Sequence, residues 1–202
     1  MFYEPKNGHG LPHNPFNALI APRPIGWIST RDANGIDNLA PYSFFNAVSY
    51  SPPQVMFSST GSKDDREIGK DSVANIMEIG AFCVNFVSYD MRDKMNSTSL
   101  PLDHHIDEFE SSGIKRSECE LISCPRVSES PANLECRLVD IVKLPGKANI
   151  AVFGEVIGIH IRDEYLQDGL FDTLKARPLA RLGYQDYSDI THLFSLHRPS
   201  SK

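Results

Sequence analysis

Lys70-Asp71-Ser72 stands directly before an apolar repeat, Val73, Ile76, Met77 and Gly80, spaced i, i+3, i+4, i+7. That spacing predicts a short helix over residues 72–80, with Asp71 or Ser72 as N-cap and Gly80 as its stop. A helix N-terminus exposes unpaired N–H groups and a partial positive charge, so an ammonium and a hydroxyl beside it suit a phosphate. A capped surface helix with a solvated lysine uses the same residues. The second candidate is Asn38-Leu39-Ala40-Pro41-Tyr42-Ser43-Phe44-Phe45-Asn46. Small residues, a proline and two amides among aromatics can offer backbone groups to the edge of a planar ring while a side chain packs on its face. An edge strand with core aromatics fits the same stretch. Met95-Asn96-Ser97-Thr98-Ser99 is a hydroxyl-rich turn. Arg177 to Tyr184, with Tyr187 beyond, sets two arginines near a glycine and two tyrosines, a set that meets a nucleotide cofactor or simply packs on the protein body.

Other chemistries lack their residues. There is no G-x-G-x-x-G, G-x-S-x-G or H-E-x-x-H pattern, and Gly61 lies too far from Gly69-Lys70 for a P-loop. Lys63-Asp64 imitates Lys70-Asp71, but only the latter is followed by a helical pattern and Asn75-Ile76. His104-His105 has no companion ligands at metal-binding spacing and reads as exposed loop. Cys83, Cys119, Cys124 and Cys136 form no C-x-x-C pair and read as reduced thiols, buried or at the surface.

The elements that must position these candidates are mostly strands. Residues 1–21, rich in Pro, Gly, His and Asn, read as an irregular arm. Ile25 to Thr30 is a short strand closed by an Asn34-Gly35 turn. Leu39 to Val48 reads as one further strand, demoted to an edge or bulge by Pro41. Phe82 to Val87 is a buried strand, and Asp107 to Glu110 a short helical piece. Leu134, Cys136 and Leu138 alternate with Glu135, Arg137 and Val139, the period of a half-buried strand. In Asn149 to Ile161, Ala151, Phe153, Ile157, Ile159 and Ile161 share one face and Val152, Gly154, Val156, Gly158 and His160 the other. Pro145-Gly146 separates these two strands and predicts a long hairpin. Many strands with one or two helices predict a mainly β chain closed into a barrel, and the missing strand–helix alternation excludes a doubly wound nucleotide fold.

The chain has 202 residues, 41% of them hydrophobic, enough to bury a core in one domain. Twenty basic against twenty-six acidic residues give a net charge of -6, which argues against nucleic-acid binding. No apolar run reaches the ~18–20 residues of a membrane helix, and the first residues lack the features of a secretion signal. The expectation is a cytoplasmic protein that contacts neither membrane nor nucleic acid.

The order of the segments adds to this. Pro22-Arg23-Pro24-Ile25-Gly26-Trp27-Ile28-Ser29-Thr30, Asn38 to Ser49 followed by Pro52-Pro53, and Lys70 to Ile76 with Gly80, Phe82 and Asn85 resemble the flavin reductase-like, FMN-binding split-barrel family. Glu108-Phe109, Pro125-Arg126-Val127, Leu134-Glu135-Cys136, Gly154-Glu155-Val156 and Arg181-Leu182-Gly183 recur in the same order, and the resemblance spans about residues 15–187. It is nearest the flavoredoxin and monooxygenase-reductase-component type. Ser72 stands where that pattern commonly has Thr. The resemblance implies a single domain over residues 1–202, a Greek-key-like split barrel with an arm (1–14) and a tail (188–202).

It also implies a homodimer with FMN near the subunit interface. Asn38, Leu39, Ala40, Tyr42, Ser43 and Phe44 would lie along the isoalloxazine, with Ser58 in the same site. Lys70, Asp71 and Ser72 would hold the phosphate, Asn96 and Thr98 the ribityl-phosphate region, and Arg181 would reach the partner's flavin. NADH or NADPH would pass hydride to flavin N5, a step that needs alignment more than an acid or base, so no catalytic residue is assigned. A separate monooxygenase would receive the reduced flavin. The alternatives are an FMN-carrying electron-transfer protein, flavoredoxin-like, without its own NAD(P)H site, and a barrel that has lost flavin and serves as a binding module.

Overall fold

A computed structural model describes residues 1–61 and 69–199. After a 3-10 turn at Pro5–Asn7, α1 (Phe16–Leu19) leads to β1 (Arg23–Pro24), β2 (Gly26–Arg31) and β3 (Asp37–Tyr42). The β2–β3 turn is held by the Asp32 carboxylate, which accepts from the Asn34 and Ile36 amides at 2.9 and 2.8 Å, and Gly35 takes the positive φ (85°) that the turn requires. Strands β4 (Phe45–Tyr50) and β5 (Pro53–Ser59) precede α2 (Asp71–Ile79) and β6 (Ala81–Asn85). Helices α3 (Arg92–Ser97) and α4 (Glu108–Ser111) follow, then β7 (Arg116–Glu118) and β8 (Pro125–Val127). The long pair β9 (Ala132–Leu144) and β10 (Asn149–Ile161) comes next. The chain ends with β11 (Leu166–Gln167), β12 (Leu170–Phe171), α5 (Thr173–Ala176), β13 (Leu179–Arg181) and β14 (Tyr187–Asp189).

Seven strands form one sheet in the order β3-β2-β6-β9-β10-β5-β4. β3 and β4 occupy its two opposite edges, yet only Ser43 and Phe44 separate them in the chain. A flat sheet of seven strands would hold its edges ~29 Å apart. The backbone from Tyr42 to Phe45 reaches at most ~11 Å. The sheet must therefore curl until its edges meet, and the Ser58 amide, donating to the Phe44 carbonyl at 2.7 Å, carries the β4–β5 ladder one residue into the corner. β3 and β4 do not pair, so the barrel keeps a seam. This is a split β-barrel, mainly β with short helices.

β2 explains why there are two cores. Ile28 points into the barrel among Phe57, Phe82 and Val152, where Val73 and Ile76 of α2 plug one end. Trp27, one residue earlier, faces outward, as period-two alternation demands. There it is covered by Leu39, Met91, Met95, Phe109 and Val127. Asn85 ties the layers together. Its amide donates to the Trp27 carbonyl (2.8 Å) and Ser29 Oγ (3.0 Å), and its oxygen accepts from the Val127 amide (2.7 Å) and Asn133 Nδ2 (2.8 Å).

Several expectations change on inspection. The Leu39–Val48 strand is two strands, because the chain must leave one edge for the other at Ser43-Phe44. The N-cap of α2 is Lys70 rather than Asp71 or Ser72, with no side-chain cap bond, while Gly80 closes the helix in the left-handed conformation (φ 76°). The β9–β10 hairpin forms as expected, but two bulges, at Phe153/Gly154 and Val156/Gly158, interrupt its register. Val152 and Gly154 face the barrel interior, and a Cβ on Gly154 would lie 2.4 Å from Phe82 Cζ. Glu135 does not reach solvent: it is 1% exposed and accepts from the Glu120 and Leu121 amides, each at 2.7 Å. Met95, Asn96 and Ser97 end a helix rather than sit in a free turn, and β14 carries the ordered chain two residues into the segment read as tail. Lys63-Asp64 lies outside the described residues.

Candidate functional site

The seam places Ser43 and Phe44, both half-buried, at the floor of a 250 Å³ cavity. Three other segments complete it: Arg23 from β1, Ser58 and Thr60 from the end of β5 with Lys70 before α2, and Arg181 from β13 with Tyr184 beyond it. Among the described residues, Arg23, Lys70 and Arg181 line this cavity and no carboxylate does. Arg23 is 7% exposed, with its guanidinium donating to the carbonyls of Asn17, Ile20 and Leu182. Its Nε has no partner among the described residues, and the guanidinium carbon lies 5.8 Å from the Phe44 ring centroid. Burial and the like charge of Arg181 lower its pKa. A cation held this way, near a second cation, favours an anion in the space between them.

A second cavity of 180 Å³ shares Pro41, Tyr42 and Lys70 with the first. Asn38, Ala40, Asp71, Ser72, Thr98 and Glu108 also line it. Its polar groups are bonded to one another. Ser72 Oγ donates to Asn38 Oδ1 at 2.7 Å. Asn38 Nδ2 donates to both oxygens of Glu108 at 2.9 and 3.0 Å, and the Leu39 amide donates to Oε2 at 3.1 Å. Burial pushes Glu108 up to about 7 against the pull of those hydrogen bonds, and nearby Asp71 adds to the rise. Burial likewise raises the Tyr42 phenol to about 12, beside Ser59 and Ser72.

A third cavity, 470 Å³, meets the first at Arg181 and includes Asn96. Its Tyr89 ring is held between the guanidiniums of Arg92 and Arg177, each 4.2 Å from the centroid, and Arg181 lies 4.4 Å from the Tyr187 ring. Of the sequence-derived candidates, Tyr42, Ser43, Phe44, Ser58, Lys70 and Arg181 thus converge on one cavity. Asn38, Ala40, Asp71, Ser72 and Thr98 line the adjoining one, and Asn96 lies across Arg181 in the third. Leu39 lines none of the three: its side chain is fully buried in the outer core and its amide is taken by Glu108. Thr98 is 2% exposed, accepting from Trp27 Nε1 at 2.9 Å and donating to the Met95 carbonyl at 2.8 Å.

Sequence reasoning passed over Arg23 and Glu108 as site residues. Arg23 had a local signal, since an arginine between two prolines cannot be helical and is held extended. Glu108 had none, because its partners lie about seventy residues away.

Three cations, hydroxyls and an aromatic ring around a groove joined to two further cavities fit a flat ring carrying a phosphate. The fold is that of a split barrel with an anion-favouring groove at its seam. Residues 19–180 match the flavin reductase like domain, and the chain belongs to that family. A protein of Aquifex aeolicus is 37% identical over 170 residues, covering 84% of this chain and 85% of its own length. Nitrilotriacetate monooxygenase component B from Bacillus cereus superposes with a TM-score of 0.87 at 27% identity, over 97% of this chain and 98% of that one. Flavoredoxin from Methanosarcina acetivorans superposes with a TM-score of 0.76 at 25% identity, over 94% and 95%. Family membership makes the chain a flavin-related oxidoreductase. Among the described residues, no helix is long and apolar enough to cross a membrane, and no cluster of His, Cys, Asp or Glu could hold a metal ion.

Proposed function

We propose that this protein is an NAD(P)H-dependent flavin reductase that binds FMN in the seam groove. The observation that carries the reading is the cavity with Arg23, Lys70 and Arg181 on its walls and no acid among its described lining residues. The phosphate belongs on that side. The adjoining cavity offers Lys70 too, but it also presents Asp71 and Glu108, and its Ser72 hydroxyl is already bonded to Asn38. Ser43, Phe44 and Ser58 then border the ring system, while Asn38, Ala40 and Tyr42 shape the wall between the two cavities. Bound there, FMN supplies a two-electron carrier able to take hydride from a reduced nicotinamide. The residues' task is alignment and charge neutralisation, and none is assigned as an acid or base. The larger cavity, with Arg92, Arg181 and two tyrosines, suits the nicotinamide nucleotide.

Exposed Val48 and Tyr50 on β4 and Val139 and Val142 on β9 give the barrel wall an apolar surface that a homodimer would cover. The four free thiols fit a reducing, cytoplasmic setting. The likeness to component B supports a monooxygenase as recipient of the reduced flavin. The likeness to flavoredoxin supports a second reading, an FMN carrier reduced by another protein. Titrating purified protein with FMN and then, anaerobically, with NADH or NADPH tests both. Saturable binding, weakened about tenfold in Lys70→Ala through loss of a charge-assisted contact, and rapid bleaching by one nicotinamide support the reductase. Bleaching only with a protein donor supports the carrier. Failure to take up FMN overturns both.

A further inference from the structure

Three of the four cysteines, Cys83, Cys119 and Cys124, are scattered in sequence but come together on the outer side of β2 and β6, while Cys136 faces the barrel core. β7 and β8 pair as a hairpin, Arg116 with Val127, Ser117 with Arg126, Glu118 with Pro125. The next pair in that register is Cys119 with Cys124, and the Cys119 amide donates to the Cys124 carbonyl at 3.0 Å. Directly opposed antiparallel residues hold their Cα atoms about 4.5–5.5 Å apart. That lies within the ~4.4–6.8 Å over which a disulfide closes without moving the backbone. Cys124 and Cys83 are the neighbours that act most strongly on the Cys119 thiol. Cys119 is half-buried and reachable from solvent, whereas Cys83 and Cys124 are buried. Cys124 Sγ lies 3.1 Å from the Ser29 carbonyl oxygen.

Charge around the cluster completes the picture. The neighbouring thiols of Cys124 and then Cys83 draw the Cys119 pKa below the ordinary thiol value, and His160 adds to that, while burial and Glu135 oppose it. His160 Nε2 and Glu135 Oε1 are 2.5 Å apart. Burial drives the thiols of Cys83 and Cys124 the other way, so they stay protonated as donors. One half-buried, activated sulfur against two buried, protonated ones is the arrangement of an attacking and a resolving thiol.

We propose that Cys119 is a hydroperoxide-reactive thiol and that Cys124 resolves it, closing a Cys119–Cys124 disulfide across the β7–β8 hairpin. The Cys119 thiolate attacks one oxygen of hydrogen peroxide. The S–O bond forms, the O–O bond breaks, and the leaving hydroxide takes a proton from solvent to give water and a sulfenic acid. The Cys124 sulfur then attacks that sulfur. The S–S bond forms, the S–O bond breaks, and the hydroxyl leaves as a second water with the Cys124 proton. Two electrons pass from the sulfur pair to the peroxide. None of the four cysteines lines the three cavities of the seam groove, so this chemistry stands apart from flavin binding.

The test uses the full-length protein with hydrogen peroxide, read by thiol titration and peptide mass mapping. Four thiols should fall to two, the mass should drop by two hydrogens, and the linked peptides should contain Cys119 and Cys124; dithiothreitol should reverse all three changes. Cys124→Ser should stop at a sulfenic acid that dimedone traps on Cys119, and Cys119→Ser should retain all its remaining thiols. Alkylation of the wild type needs no variant: Cys119 should react first with iodoacetamide under native conditions. Four thiols surviving excess peroxide, or another cysteine alkylated first, overturns the assignment of Cys119. A Cys119–Cys83 bond overturns the assignment of Cys124.

Discussion

Glu108 offers a direct test of the electrostatics beside the groove. Its carboxyl is 4% exposed and accepts three hydrogen bonds, from Asn38 Nδ2 to each oxygen and from the Leu39 amide. Burial raises its pKa from 4.5 to about 7 in the folded chain. Below about pH 4.5 both folded and unfolded chains hold the proton. Between about 4.5 and 7 the unfolded chain releases it and the folded chain keeps it, so stability falls as pH rises. Above about 7 both are ionised and the loss is complete. A separation of that size corresponds to about 3 kcal/mol, an order-of-magnitude figure. Glu108→Gln keeps the shape and an oxygen for the Leu39 amide but has nothing to ionise. Urea unfolding of wild type and variant at matched pH values isolates the effect, since other titrating groups are common to both. The wild type should lose about 3 kcal/mol relative to Glu108→Gln between about pH 4.5 and pH 8. A difference that is constant across that range would show that Glu108 titrates as an ordinary carboxylate, and one that moves the other way that folding lowers its pKa; either refutes the reasoning.

Three further outcomes follow from packing and buried polar groups. Thr98→Val removes the acceptor of the fully buried Trp27 N–H and should cost about 1–3 kcal/mol in urea unfolding, with a shifted emission from the chain's one tryptophan. Gly154→Ala sets a methyl against Phe82 Cζ and should cost about 1–3 kcal/mol, partly restored when Phe82→Leu is added; a double-mutant cycle reads the coupling. Asn85→Leu strands four buried partners in both layers and should cost about 3 kcal/mol or more, with faster hydrogen exchange at the Val127 amide; unchanged exchange there would remove Asn85 from its bridging role.

What the sequence could show was local. The Asn34-Gly35 turn, the strand before it, the long hairpin broken at Pro145-Gly146 and the Gly80 helix stop all rest on neighbouring residues, and all are present in the fold. The break at Ser43-Phe44 was hidden because neither residue is a turn former such as Gly, Asn or Pro; only closure of the sheet forces a corner there. The burial of Glu135 was hidden for a related reason. Its alternating strand marks it as outward, and it becomes interior only when the loop between β7 and β8 folds over it and donates two amides. The site was partly legible, since Ser43, Phe44 and Lys70 stand in recognisable local settings. Its boundaries were not: Arg23 and Arg181 approach each other only because β1 pairs with β13.

The corner at Ser43 and Phe44 has a bearing on assembly as well as on binding. Strands that follow one another in the chain stand at the far ends of the sheet, so the walls of the groove meet only when every intervening strand is in place. Whatever rests on those two residues recognises a finished barrel and no partial one. Under the proposed FMN site, loading of the cofactor and the last step of folding would form a single equilibrium, and ligand above its dissociation constant would draw unfinished chains toward closure by mass action.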